Sequence, residues 1–285
     1  MKKNKLVMPV LKWVGGKRQL LPEIKKYMPK MTKSTVYYEP FVGGGAVLFD
    51  MQPERAVIND VNHELITVYK VIKDNVEELI NELKDEKYSN TAESFYSIRE
   101  LDRNAEKYNE LTEVEKAARV LYLNKTCFNG LYRVNSIGEF NSPFGRYVNP
   151  NIVNEVGLRA VNKYFNEAAI TFLNGDFENT VEGIKKGAVV YFDPPYAPIS
   201  KTSNFTGYNE SGFGKEEQIR LKKLCDRLTD KGIHILLSNS DCEFIRELYS
   251  DTERYEIITV KAKRNINSNG NSRGEVSEVL VKNNV

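Results

Sequence analysis

The chain has 285 residues, 41% of them hydrophobic and 28% charged, with a formal net charge of +2; this is the make-up of a soluble globular protein, one large domain or one domain with an insertion. Three cysteines without CxxC spacing and two distant histidines, His63 and His234, argue against a disulfide framework or a zinc site and fit a reducing cytoplasm. The start, MKKNKLVMPVLKW, is basic but has no apolar run long enough for a signal peptide or a membrane span.

In chain order, a helix-like segment over 17–28 precedes a strand at 36–39 (VYYE), a second strand at 55–58 (RAVI) and a helix over 62–72. From about 74 to 165 the alternation breaks into helical stretches, NVEELINELKD, TAESFYSIRELD and TEVEKAARVLYLNKT, followed by the loop CFNGLYRVNSIGEFNSPFGRYVNP. Strands return at 170–173 (ITFL), 188–192 (AVVYF) and 233–238 (IHILLS), with helices over 215–230 and 241–249. Two last strands, 255–262 and 276–282, have only KRNINSNGNSRG between them, so they are expected to form an antiparallel hairpin with a mobile tip. Strands alternating with helices predict a mostly parallel α/β sheet. Residues 74–164 read as a helical insertion into a domain formed by 1–73 and 165–285.

YYEPFVGGGAVLFD (37–50) is a strand, a glycine-rich turn and a helix. Glycines let a ligand approach the backbone, and a helix start offers free N–H groups. Glu39, Phe41 and Gly43 are therefore candidates for a nucleotide-like ligand, although a tight turn needing positive φ explains glycines alone. Neither GxGxxG nor GxxxxGK[ST] occurs, which disfavours a dinucleotide site or a P-loop. Asp60 ends the next strand, where a ribose-binding acid stands in a doubly wound sheet; it can equally cap the helix that follows. Acids on two consecutive strand ends tip the reading toward a ribose-bearing cofactor. Asp176 in LNGDF ends the third strand, as a helix cap or as an acceptor for an exocyclic amine.

KKGAVVYFDPPYAP (185–198) leaves a strand through an acid, two prolines and an aromatic. An adenine amino group is a poor nucleophile because its lone pair is delocalised into the ring. Asp193 and a carbonyl of Pro194 or Pro195 can accept its two hydrogens and favour a pyramidal nitrogen, while Tyr196 stacks on the base. The alternative is a proline-stiffened loop without a ligand. A parallel strand's carboxyl end is where open α/β sheets bind ligands.

The motifs KWVGGKRQLLPEI, EPFVGGGAVLF, FNGLYRVNSIGEFNSPFGRY, GDF and DPPY occur in that order, from Trp13 to the C-terminal tail. The chain resembles the Dam-type DNA adenine-N6 methyltransferases, in which the recognition domain lies between the cofactor turn and DPPY. The resemblance implies a Rossmann-like methyltransferase sheet, S-adenosyl-L-methionine as cofactor, and cofactor contacts from Trp13, Lys17, Asp60 and Asp176. It also implies a catalytic tip of Asp193 to Tyr196 acting by direct methyl transfer, without a metal or a covalent intermediate.

Local charge adds to this. Residues 116–147 carry Lys116, Arg119, Lys125, Arg133 and Arg146 against one acid, Glu139; residues 261–273 carry Lys261, Lys263, Arg264 and Arg273 against none. Two basic segments, one rich in Asn and aromatics, suit a phosphate-tracking surface with base readers, with Arg146, Lys263 and Arg264 among its contacts. Phe128 can wedge between base pairs and replace an extruded adenine, or be a core aromatic under the loop. By resemblance, Phe128, Asn129, Leu131 and Arg133 match the positions that contact and open a GATC site in double-stranded DNA. A monomer is expected. The rival readings are a same-fold methylase of cytosine N4, RNA or protein glutamine, and an inactive DNA-binding protein.

Overall fold

A computed structural model describes residues 3–198, 212–263 and 275–285, the side chains of residues 262, 263, 275 and 276 excepted. Its elements are α1 (Leu21–Tyr27), β1 (Tyr37–Glu39), α2 (Ala46–Met51), β2 (Arg55–Asp60), α3 (His63–Asp74), α4 (Val76–Glu82), α5 (Ala92–Arg99), α6 (Ala105–Glu110), α7 (Glu113–Thr126) and α8 (Glu155–Glu167). There follow β3 (Ala169–Asn174), α9 (Phe177–Thr180), β4 (Val189–Phe192), α10 (Lys215–Asp230), β5 (His234–Ser240), α11 (Glu243–Leu248), β6 (Tyr255–Lys263) and β7 (Glu275–Asn283).

Among the described residues, seven strands form one sheet in the order β3-β2-β1-β4-β5-β7-β6. β1 runs parallel to β2 and β4, and β4 parallel to β5. β7 is antiparallel to both β5 and β6, so the expected terminal hairpin is present; the tip at 264–274 lies outside the described residues. β4 (VVYF) is buried throughout, as a central parallel strand covered on both faces must be. Pro194 and Pro195 have no N–H for a ladder, which stops β4 at Phe192, and Pro40 stops β1 in the same way. Strand order reverses between β1 and β4, the place where open sheets of this kind bind ligands.

The predicted helix over 17–28 starts later, at Leu21, because Pro22 takes an early helical position where its missing N–H costs nothing; residues 18–20 form a turn. The other expected elements are present to within a few residues at each end, whereas α6, α8 and α9 have no counterpart among the expected segments.

The chain packs as two compact units. One is Met1–Gly16, Val42–Glu54 and Asn59–Asp176; the other is Lys17–Phe41, Arg55–Ile58 and Phe177–Val285. In the first, α3 packs on α7 and α8. α7 opens on a full capping box between Thr112 and Glu115 and buries Ala117, Val120, Leu121 and Leu123. After α7 the loop carries two short antiparallel bridges, Cys127 to Phe144 and Val134 to Phe140. In the second unit, α10 buries Leu221, Leu224, Cys225 and Leu228, one helical stripe, into a core shared with Val190, Phe192, Ile235, Leu237 and Val279.

Candidate active site

The second unit holds the DPPY tip. Asp193 follows β4, and its Oδ1 takes two donors: the Lys17 ammonium at 2.8 Å and the Ser238 hydroxyl at 2.9 Å. Because Ser238 gives its own proton to Asp193, the Tyr191 hydroxyl, 3.0 Å from Ser238 Oγ, is the donor of that pair. Among the described residues, no donor takes Asp193 Oδ2. Burial pushes the Asp193 carboxyl above the ordinary carboxylate range, opposed by Lys17 and Ser238.

The tip backbone is held from behind. Gln218 Nε2 donates to the Pro195 carbonyl at 2.8 Å, Asn239 Nδ2 donates to Gln218 Oε1 at 3.0 Å, and Asn239 Oδ1 accepts from Ala197 N at 3.0 Å. Ser240 donates to the Ala197 carbonyl at 2.6 Å. Among the described residues, the Pro194 carbonyl has no donor. The Tyr196 hydroxyl donates to Glu278 Oε2 at 2.8 Å, and Lys17 Nζ stands 4.6 Å from the centre of its ring. Burial raises the Tyr196 phenol well above its usual range, so it remains a donor. Glu39, buried at the end of β1, accepts from the Tyr37 hydroxyl at 2.9 Å. The Phe41 ring packs against Phe177 and edge-on to Phe213, at 5.3 and 5.5 Å.

The first unit holds the glycine turn. Gly43 and Gly45 have φ of +47° and +69°. A Cβ at Gly43 would lie 3.0 Å from Trp13 Cδ1, and one at Gly45 2.7 Å from the Phe49 ring, so both positions require glycine. Gly43 N donates to Asp60 Oδ2 and Asn62 N to Asp60 Oδ1, each at 2.9 Å; the Tyr69 hydroxyl donates to the Gly43 carbonyl at 2.6 Å. The side chain of Asn62, not of Asp60, caps α3, accepting from Leu65 N at 2.9 Å. Burial raises the Asp60 carboxyl, opposed by these amides. Gly175 N donates to the Asp60 carbonyl at 3.2 Å, which seats the turn bearing Asp176 beside it. Trp13, Gly43, Asp60 and this turn are thus neighbours.

In the loop after α7, Phe128 is 56% exposed, unlike a core aromatic, and Asn129 adopts φ +59°. Leu131 is buried, unlike its neighbours Phe128 and Arg133. Arg133 and Arg146 are exposed, and no described residue pairs with either side chain. Arg119 does not belong to any exposed basic face: it is fully buried, paired with Asp102 at 2.6 Å. Lys116 pairs with Glu113 at 3.1 Å. The Lys263 side chain and Arg264 lie outside the described residues. Cys127 and Cys225 are buried, with thiols pushed up to about 11 and about 12, which makes them packing residues. Among the described residues, no helix is long and apolar enough to cross a membrane, and no group of three or more His, Cys, Asp or Glu could hold a metal.

Residues 13–266 match the family described as D12 class N6 adenine-specific DNA methyltransferase. The chain belongs to that family. It is 44% identical over 284 residues to the Type II methyltransferase M1.LlaDCHI of Lactococcus lactis subsp. cremoris, covering 99% of this chain and 98% of that one. It is 44% identical over 293 residues to the Type II methyltransferase M.MjaIII of Methanocaldococcus jannaschii, at 97% and 99% coverage. To the DNA adenine methylase of Escherichia coli (strain K12) it is 36% identical over 283 residues, covering 98% and 95%. This D12-class methyltransferase therefore acts on adenine N6 in DNA, which sets aside cytosine, RNA and protein as the substrate class.

Several residues around the D12-class motifs went unnoticed in the sequence. Ser238, Asn239 and Ser240 form a polar triplet inside a buried apolar strand, a signal that was available. Gln218 and Glu278 carry no such mark. Lys12 is exposed beside the loop, its side chain near the position a Cβ on Gly130 would take, and it directly precedes Trp13 in KWVGGK.

Proposed function

We propose that the enzyme transfers a methyl group from S-adenosyl-L-methionine to N6 of an adenine flipped out of double-stranded DNA, within GATC. The observation that carries this reading is the pair of open acceptors at the tip. Lys17 and Ser238 engage Asp193 Oδ1, and Gln218 engages the Pro195 carbonyl, while Asp193 Oδ2 and the Pro194 carbonyl stay without donors among the described residues. Two acceptors suit the two hydrogens of an exocyclic amine. Binding both draws the nitrogen lone pair out of conjugation and aims it away from the tip. Tyr196, tethered through its hydroxyl to Glu278, offers ring surface to the base.

The residues present fit the cofactor. Gly43 has no Cβ to obstruct a ligand beside Trp13, Asp60 has a carboxylate suited to ribose hydroxyls, and Asp176 suits an adenine amine. Glu39, Phe41 and Lys17 complete the proposed contacts. When bound, S-adenosyl-L-methionine supplies an electrophilic methyl on a sulfonium. Asp193 then stabilises the positive charge that develops on the attacking nitrogen, which sheds one of its hydrogens as a proton once the methyl is bound, and positioning contributes the rest.

In this reading 74–164 is the target-recognition domain, and 1–73 with 165–285 is the catalytic domain of a cytoplasmic monomer. Phe128 fills the space of the extruded base, Asn129 and Leu131 contact the opened site, and Arg133 grips a guanine. Arg146, Lys263 and Arg264 hold phosphates. Unmethylated plasmid incubated with the protein and cofactor, then sequenced for modified bases, is expected to carry N6-methyladenine at GATC. Modification in another sequence context would replace that target.

Asp60→Ala should weaken cofactor binding by about ten- to a hundredfold, the cost of about 1.5–3 kcal/mol for hydrogen bonds to a charged group. Titration calorimetry checks this, and unchanged affinity returns Asp60 to a turn-holding role. Lys17→Met should move the acid limb of the pH–rate profile. Burial already raises Asp193, and Lys17 is the largest influence opposing that rise. Without the ammonium the carboxyl rises further, so the acceptor is protonated, and activity lost, at higher pH than in the parent. A limb that stays put or moves to lower pH contradicts this role for Lys17.

A further inference from the structure

Tyr132 is held at both ends. Its ring stacks on Trp13 with centroids 5.1 Å apart and planes within 20°, and its hydroxyl donates to Glu64. Glu64 lies in the first turn of α3 and is itself anchored: the Tyr108 hydroxyl donates to it, and Arg119 Nη1 is 3.5 Å away. Arg119 is fully buried, paired with Asp102 and donating to the carbonyls of Ile98 and Arg99 at 3.1 and 3.0 Å. On the other side, Trp13 lies against the glycine turn, and the backbone of Lys12 is bonded both ways to Asn124, at 2.9 and 2.8 Å. Both partners of Tyr132 are therefore fixed by packing of their own.

The following strand of the loop is pinned separately. Phe140 N donates to Asp102 at 2.7 Å, and Arg103 donates to the Phe140 carbonyl at 2.5 Å. Asn141 N donates to the Arg133 carbonyl at 2.9 Å. These contacts hold Arg133 by its backbone alone, while its side chain is exposed. The direction in which that side chain leaves the loop is then set by how firmly residue 132 is held.

We propose that Tyr132 is a positioning residue for target recognition: its stack on Trp13 and its bond to Glu64 fix the backbone from which Arg133 reaches the DNA. This rests on the reading that Arg133 contacts a base. A two-pronged guanine contact needs both donors aligned at once, so a loosened backbone blurs base discrimination more than it lowers turnover. A side chain that only stabilised the fold would lower activity alike on all sequences.

The test measures kcat/KM on duplexes carrying GATC and each single-base variant of it, for the parent, Tyr132→Leu, Tyr132→Phe, Arg133→Ala and the Tyr132→Leu/Arg133→Ala double variant. The Leu variant loses both the flat face and the hydroxyl, and its preference for GATC should fall by about tenfold. The Phe variant keeps the stack, and its preference should fall by about threefold. The double variant should discriminate no worse than Arg133→Ala, because Tyr132 acts through Arg133. A uniform loss in the Leu variant with its preference intact overturns the inference. If the Leu variant does not fold, an unchanged preference in the Phe variant overturns it instead. Should Arg133→Ala itself discriminate like the parent, the reading of Arg133 falls and this inference with it; should only the Tyr132 variants do so, this inference alone falls.

Discussion

Asp193→Ala is expected to fold, to bind cofactor and to transfer essentially no methyl. Removing one electrostatic acceptor that faces developing charge typically lowers a rate by on the order of 10²–10³. In the proposed mechanism the same group also orients the base, so the loss should be greater. The fold should survive because the tip backbone is held independently, through Gln218 on Pro195 and through Asn239 and Ser240 on Ala197. The stability change comes mainly from Lys17, which loses its carboxylate but keeps its place over the Tyr196 ring. Circular dichroism and cofactor titration establish that the variant is intact, and radiolabel transfer gives its rate. Asp193→Asn, which keeps a carbonyl acceptor without the charge, should fall between the two. Near-parental activity in the alanine variant would remove Asp193 from the chemistry.

Arg133→Ala is expected to change selectivity for sequence. If the loop after α7 reads DNA as proposed, an exposed arginine there can hold a phosphate or grip guanine O6 and N7. A phosphate contact adds affinity for every sequence alike, so losing it weakens binding uniformly and flattens the salt dependence by about one unit. A bidentate guanine contact carries roughly 1–3 kcal/mol, about ten- to a hundredfold, at one base position. The second outcome is expected: the variant should accept sites altered at one guanine of GATC while cofactor affinity is unchanged. Comparison of kcat/KM across single-base variants decides it, and an equal loss on all sites makes Arg133 a phosphate clamp.

The central strand and its tip were legible because their signals are local. A run of Val, Val, Tyr and Phe followed by two prolines can hardly be anything but a buried strand that stops. The network behind the tip was not legible, because it depends on register. Phe192 pairs with Leu237, which brings Ser238 to Asp193, and Ser240 pairs with Glu278, which brings an acid within reach of Tyr196. Those partners are 45 and 82 residues apart in the chain, and no local pattern encodes such a distance. Arg119 was misjudged for a related reason. Counting charges along a segment does not say which face of a helix they occupy, and on α7 this one points into the protein toward Asp102 and Glu64. Asp60 reads equally as helix cap or ligand-facing acid because either role suits a strand end; the cap of α3 falls to Asn62, and Asp60 accepts the amides of Gly43 and Asn62. α1 began later than periodicity suggested because Pro22 sets its first turn.

The proposed chemistry is tested most directly by incubating unmethylated DNA and S-adenosyl-L-methionine with the parent enzyme and, in parallel, with Asp193→Ala, then digesting the DNA to nucleosides and quantifying the methylated products. The parent should yield N6-methyldeoxyadenosine as the methylated product, and the variant at least about a hundredfold less. Methylcytosine from the parent, or equal yields of N6-methyldeoxyadenosine from the two proteins, would contradict that chemistry.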